Sequence, residues 1–159
     1  MWVANFLPGK NPHLFIELAK KNPNEKFVMI GSDRDPRFKE DIMNQAEKVP
    51  NLEIKGYLPF NEANKEFRKA KLFVNTSNYE GFPNTFLPAW SYGTPVISFV
   101  DPDNLMKENR LGMRVHDINE MVQKVDEFLG NKLTFSSKVI PNYFIAFLAH
   151  QFPPHALKV

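Results

Sequence analysis

Glu80 opens the stretch of this sequence best suited to chemistry. It is followed by Gly81, Phe82 and Pro83, then by Asn84 and Thr85, two residue types that suit the start of a helix. An apolar run, Leu72 to Val74, leads into this loop, and a short helical pattern closed at Gly93 and a second apolar run from Pro95 follow it. Strand, loop, helix and strand make a βαβ unit. The unit puts a carboxylate and a row of unpaired backbone N–H groups at the C-terminal edge of a strand. In open α/β sheets ligands bind at that edge, and a helix start there favours phosphate oxygens. Lys10, in the turn after the first strand, adds a cation on the same edge. Taken alone, Lys10 reads first as a solvated loop lysine; the alternative for Glu80 is a loop carboxylate beside a helix dipole, and Gly81 is equally an ordinary turn glycine.

The elements that must position these residues alternate between two periods. Trp2 to Phe6 reads as a buried first strand, and Leu7 to Asn11 as a turn with Asn11 as N-cap and Pro12 at the first helical position. Leu14, Phe15, Leu18 and Ala19 share one helical face until Asn22 and Pro23. Lys26 to Ile30 is the second strand, and a second helix starts near Asp35 and Pro36, carried by Phe38, Ile42, Ala46 and Val49. Asn51 to Lys55 is the third strand, and Gly56 to Pro59 the turn that leads to a short helix through Ala63, Phe67 and Ala70. After the central unit come the strand Pro95 to Val100, a turn at Asp101 to Asp103, a small strand Met113 to Val115 and an amphipathic helix Ile118 to Leu129. This order predicts an α/β fold, a parallel sheet of about six strands covered by helices on both faces.

Composition removes several function classes. At 43% hydrophobic and 24% charged residues, the chain fits a globular domain. Its 159 residues suffice for one domain with a two-sided core. A net charge of +2, with no basic block, argues against nucleic acid as a partner. There is no cysteine, so disulfides, thiol catalysis and thiolate metal sites are excluded. His13, His116, His150 and His155 show no ligand spacing with carboxylates, so no metal site and no cofactor are expected. Neither G-x-G-x-x-G nor a P-loop pattern occurs, which leaves dinucleotide oxidoreductases and nucleoside triphosphatases unsupported. No basic segment followed by an apolar one opens the chain, and the expected location is the cytoplasm.

The run E-G-F-P-N-T-F-L-P-A-W-S-Y-G-T-P-V-I, Glu80 to Ile97, resembles the signature segment of the family 4 (group 1) glycosyltransferases, in the C-terminal, nucleotide-sugar-binding half of the GT-B fold. The resemblance runs from about Trp2 to Asn131. It implies a Rossmann-like donor-binding domain over residues 1–132, a nucleoside-diphosphate sugar as donor, and retaining hexosyl transfer to a saccharide or other acceptor without an essential metal. In this reading Glu80 faces the donor sugar and is needed for transfer, and Lys10 contacts the diphosphate. The segment of Gly81, Phe82, Pro83, Asn84 and Thr85 supplies backbone donors to sugar and phosphates, from every residue but the proline, and Tyr57 and Leu58 hold the base, largely through backbone groups. Tyr57 reads equally well as a core or surface aromatic.

Three departures qualify this reading. The family motif has a second glutamate that holds the ribose hydroxyls, and Pro88 stands at its position. Many members have an arginine where this chain has Asn5, which can donate a hydrogen bond but no charge. The acceptor-binding half is missing, so an acceptor domain from another chain or a longer gene is implied. The alternative is a catalytically inactive relic or a nucleotide-binding module.

From Leu133 to Val159 there are no acidic residues, and only Lys138 and Lys158 are charged. Val139 to Phe152 is apolar but broken by Pro141, short of the about 18 uninterrupted residues a membrane span needs. This segment does not resemble the family. It reads as a tail without selected function, of the kind a frame change or truncated gene leaves. A membrane-surface segment, with peripheral contact at the inner membrane face, or a partner-docking segment is the alternative.

Overall fold

The computed structural model describes residues 1–32, 36–135 and 140–142. Apolar residues that alternate in direction along short strands set its architecture. In β4 (Phe73–Asn75) and β5 (Val96–Ser98), Phe73 and Val96 enter one core while their neighbours Val74 and Ile97 enter the other. A strand with apolar side chains on both faces has to be covered on both, and it is. One face carries α1 (Pro12–Lys21), α2 (Pro36–Ala46) and α6 (Ile118–Leu129), through Phe15, Ile16, Ile42, Met121 and Val125. The opposite face carries α3 (Phe60–Lys69), α4 (Phe86–Ser91) and α5 (Leu105–Asn109), through Phe67, Phe86, Trp90 and Met106.

The strands form two parallel three-stranded sheets, one of β1 (Trp2–Val3), β2 (Phe27–Ile30) and β3 (Leu52–Ile54), the other of β4, β5 and β6 (Gly112–Arg114). They abut where the Val74 N–H donates to the Met1 carbonyl at 2.9 Å. The spatial order is therefore 3-2-1 followed by 4-5-6, and the chain turns outward in opposite directions on either side of the β1/β4 boundary. This is the Rossmann-like order, whose ligand crevice lies above the C-terminal ends of the strands at that boundary.

Most expected elements are present, with shorter strands. The first strand ends at Val3 rather than Phe6, although the N–H groups of Ala4 and Phe6 still donate to Ile30 and Ser32. Gly31 explains the close approach, since a Cβ there would lie 1.9 Å from the Ala4 carbonyl oxygen. The turn expected after β5 continues into α5, a helix the sequence pattern did not announce; Asp101 makes it possible by accepting the N–H groups of Met106 and Lys107. Of the residues after Asn131, Phe135 packs its ring, tilted, against Phe128 and Ile140 is fully buried in the second core. The start of α2 at Asp35 and most of the tail lie outside the described residues. No described helix is long and apolar enough to cross a membrane.

Candidate functional site

The site is built by two loops that leave adjacent strands, β1 and β4, on the same edge of the fold. After β1, Leu7 to Asn11 forms a tight turn containing a short 3-10 helix, Pro8–Lys10. At the end of β4, the polar run Asn75 to Ser77 stays inside the protein: Thr76 is fully buried and Ser77 is 2% exposed. Buried polar groups require partners, and here the partners come from the other loop. The Thr76 hydroxyl donates to the Lys10 carbonyl at 2.6 Å and accepts from the Trp2 indole at 2.9 Å. The Asn11 amide donates to the Thr76 carbonyl at 2.9 Å and to Asn78 Oδ1 at 2.7 Å, and the Asn78 N–H donates to the Gly9 carbonyl.

Fastened in this way, the loops bring the Lys10 ammonium onto the Glu80 carboxylate, where they form a hydrogen-bonded ion pair. Both side chains are partly exposed, at 27% and 19%, so a solute can reach the pair. The acid and the lysine thus converge on one rim, as the sequence reading requires. Beside them is a crevice of about 410 Å³. Asn5, Lys10, Tyr57, Leu58, Glu80, Phe82, Pro83, Asn84 and Thr85 all line it, nine of the ten residues singled out from the sequence. Gly81, the tenth, lines an adjoining crevice of about 460 Å³ on the other side of Glu80, with Phe99, Asp101 and Arg114. Tyr57 stands 72% exposed at the rim, so the core reading of that aromatic is not the one observed.

Three local expectations need correction. Asn11 occupies the cap position of α1 but makes no capping bond; its backbone is left-handed, at φ 47°, and its amide is committed to the Thr76 loop. The helix after Glu80 begins at Phe86, not Asn84, with Thr85 at the cap and no side-chain capping bond. Asn84 and Thr85 belong to the preceding turn, closed by the Phe86 N–H on the Pro83 carbonyl. Pro88 is consequently the third helical residue. No backbone hydrogen bond is lost there, because first-turn N–H groups have no acceptor four residues back.

The sequence reading missed Ser32, Thr76 and Arg114. Ser32 lines the crevice and donates to Asn5 Oδ1 at 2.8 Å, which fixes the amide and leaves its NH₂ group as the donor end. Thr76 holds the two loops together. A threonine directly after an apolar strand carries no signal of this, because its hydroxyl reads the same whether it is buried or meets water. Arg114 ends the edge strand β6, and periodicity alone does not distinguish a rim arginine there from a solvated one.

Another cavity, of about 290 Å³, lies near the N-terminal ends of β2 and β4, lined by Phe27, Leu72, Val125 and Leu129 among others. Lys10 and Glu80 do not line it, and it occupies the edge of the sheet opposite the switch point. Among the described residues no group of three or more His, Asp or Glu is placed to hold a metal ion.

Residues 1–140 match the family model "Glycosyl transferases group 1". The chain is 30% identical over 152 residues to the poly(ribitol-phosphate) alpha-N-acetylglucosaminyltransferase of Staphylococcus aureus (strain COL), covering 88% of this chain and 30% of that protein. Among solved structures, a variant of S. aureus TarM in complex with fondaparinux, alpha-GlcNAc-glycerol and UDP superposes with a TM-score of 0.71 at 22% identity, over 97% of this chain and 32% of that one. The pneumococcal O-GlcNAc transferase GtfA, in complex with UDP and GlcNAc, superposes with a TM-score of 0.69 at 17% identity, over 94% and 32%. The chain thus spans about a third of the length of these proteins.

Proposed function

The chain belongs to the group 1 glycosyl transferases, and from that premise we propose that it is the donor-binding half of a retaining glycosyltransferase that moves a hexosyl unit from a nucleoside-diphosphate sugar to a saccharide or other hydroxyl acceptor. The observation that carries the proposal is the pairing of Lys10 with Glu80 at the mouth of the switch-point crevice. Transfer breaks the bond between the anomeric carbon and the diphosphate, so negative charge grows on the leaving phosphate and positive charge on the sugar ring. Lys10 answers the first charge and Glu80 the second. The two groups neutralise each other in the free protein, and a bound donor gives each a new partner: phosphate for the lysine, the sugar face for the acid. Asn5, held by Ser32, adds a neutral donor toward the phosphates. The turn at Asn84 and Thr85 borders them, and Tyr57 and Leu58 border the base. The two solved structures named above, each in complex with UDP, support a nucleotide donor. The acceptor and its binding domain come from outside residues 1–159.

A second reading rests on Pro88. Proline supplies no acceptor for ribose hydroxyls, and with Asn5 carrying no charge the chain is, on this reading, a catalytically inactive relic that binds nucleotide weakly or not at all. Isothermal titration with UDP and GDP distinguishes a functional donor site from a relic. Submillimolar binding that is lost in Lys10→Ala supports the donor site. No heat at millimolar ligand contradicts it.

A further inference from the structure

We propose that the sugar carried by the donor is acidic, a hexuronosyl unit, and that Arg114 reads its carboxylate in the crevice beyond Glu80. The inference rests on the donor-site reading above and extends it to the class of sugar transferred.

The order of the strands sets the direction in which a donor lies. Tyr57 and Leu58 follow β3, Lys10 follows β1 and Glu80 follows β4, and the rim above the strands runs 3-2-1-4-5-6. Base, diphosphate and sugar therefore lie in that sequence along the rim, and the far side of the sugar points toward β5 and β6. The crevice of about 460 Å³ on the far side of Glu80 from Lys10 occupies that place. Arg114 ends β6 and lines it. β6 is two strands, about 10 Å, from β4, a gap that an arginine side chain and one hexose ring bridge together.

Hydrogen bonding gives this crevice its selectivity. Its carboxylate and amide acceptors already have partners. Asp101 accepts the Met106 and Lys107 backbone N–H groups at 2.8 and 3.2 Å, Asn78 Oδ1 accepts the Asn11 amide at 2.7 Å, and Glu80 holds Lys10. The donors are left over. Asn78 keeps its NH₂ group, and Arg114, the one cation among the described residues lining the crevice, makes no salt bridge with any described residue. Its Nε donates to the Phe99 carbonyl at 3.2 Å, which anchors the guanidinium and leaves four N–H donors. A carboxylate meets such a fork with two parallel, charge-assisted bonds. The hydroxymethyl group of a neutral hexose, at the same carbon, offers one oxygen and no charge. Both acids of the crevice are answered elsewhere, so Arg114 is available to a ligand.

Calorimetry on the full chain tests this with UDP-glucuronate and UDP-galacturonate, each beside its neutral counterpart, UDP-glucose and UDP-galactose, and with UDP as reference. At least one uronate should bind more tightly than its neutral counterpart by roughly tenfold or more. Arg114→Ala and Arg114→Gln should both lose that preference while keeping the melting temperature and the UDP affinity of the wild type; the glutamine variant keeps a long side chain on the edge strand. Arg114→Lys should recover only part of the preference, because a point charge replaces a fork. Equal binding of acidic and neutral sugars by the wild type overturns the proposal, and so does a preference that survives in both neutral variants. UDP binding without any such preference refutes the acidic sugar and leaves the donor site standing. Failure of UDP and all four sugar nucleotides to bind refutes the donor site and the acidic sugar with it.

Discussion

The Lys10 ammonium hydrogen-bonds the Glu80 carboxylate across seventy positions of sequence, and nothing else in the site links the two side chains so directly. An exposed or half-exposed pair of this kind contributes roughly 0.2–1 kcal/mol. A donor phosphate must therefore take Lys10 from Glu80 at modest cost. In Glu80→Gln that competition is gone, and UDP should bind equally well or up to about fivefold more tightly, even though the residue facing the sugar has been lost. Calorimetry on the variant checks this. A clear weakening would mean that Glu80 itself holds the nucleotide and that the division of labour drawn above is wrong.

Pro88→Glu places an acceptor where the family's ribose contact lies. The position is third in α4, so the new residue gains an N–H that needs no helical partner, and its carboxylate sits in the first turn, where negative charge is favoured by about 0.3–1 kcal/mol. The variant should be at least as stable as the parent and should bind UDP more tightly. An unchanged dissociation constant, measured beside an unchanged or higher melting temperature, would show that residue 88 does not reach the ribose.

Gly31→Ala should damage both stability and binding. The added methyl would meet the Ala4 backbone oxygen at 1.9 Å, and backbone cannot swing aside as a side chain can. Overpacking of this sort costs roughly 1–3 kcal/mol, and each kcal/mol lowers the melting point of a chain this size by about 2–4 °C. Gly9→Ala is the control, because no atom lies within 4 Å of a Cβ there. A Gly31→Ala protein that melts with the wild type would contradict the close approach of β1 and β2 at the crevice.

How much of this was readable in the chain depends on the range of the interactions. The βαβ order, the amphipathic helices and the switch-point edge follow from apolar periodicity, which is local, and α6 spans Ile118–Leu129 as its pattern indicates. Glu80 and Lys10 could be named from the loop chemistry and the family likeness. What could not be read was the fastening between their loops. Thr76 and Asn11 act across more than sixty residues, and a threonine after a strand looks the same whether its hydroxyl meets water or a distant carbonyl. The two-residue shift of the α4 start has the same origin: Asn84 is a good cap by type, but the turn closed on Pro83 leaves it one step outside.

Acid should weaken the protein through a cluster that does not line the crevice. Glu66 is held below its ordinary range of 4.5 first by the hydrogen bond from Lys69 and then by Lys55, and Glu53 likewise, first by Lys26. A carboxylate with a depressed folded pKa stabilises the fold above its unfolded value and loses that contribution as the pH falls through the folded one. Lys55 is raised, first by Glu66, so its share is complete below its unfolded value and fades as the pH rises through the folded one. The melting temperature should therefore fall below about pH 4.5 and again in strong alkali. Glu66→Gln should flatten both limbs, and a variant with the same pH profile as the wild type would remove the cluster from the account.

The most direct test of the donor site is where a nucleotide lands. In a two-dimensional amide NMR titration with UDP, the account predicts that the largest shifts fall on Gly31, Ser32, Tyr57, Leu58, Gly81, Asn84 and Thr85, around the crevice that Lys10 and Glu80 share. Shifts centred instead on Phe27, Leu72 and Val125 at the opposite edge, or no shifts at millimolar UDP, would contradict it.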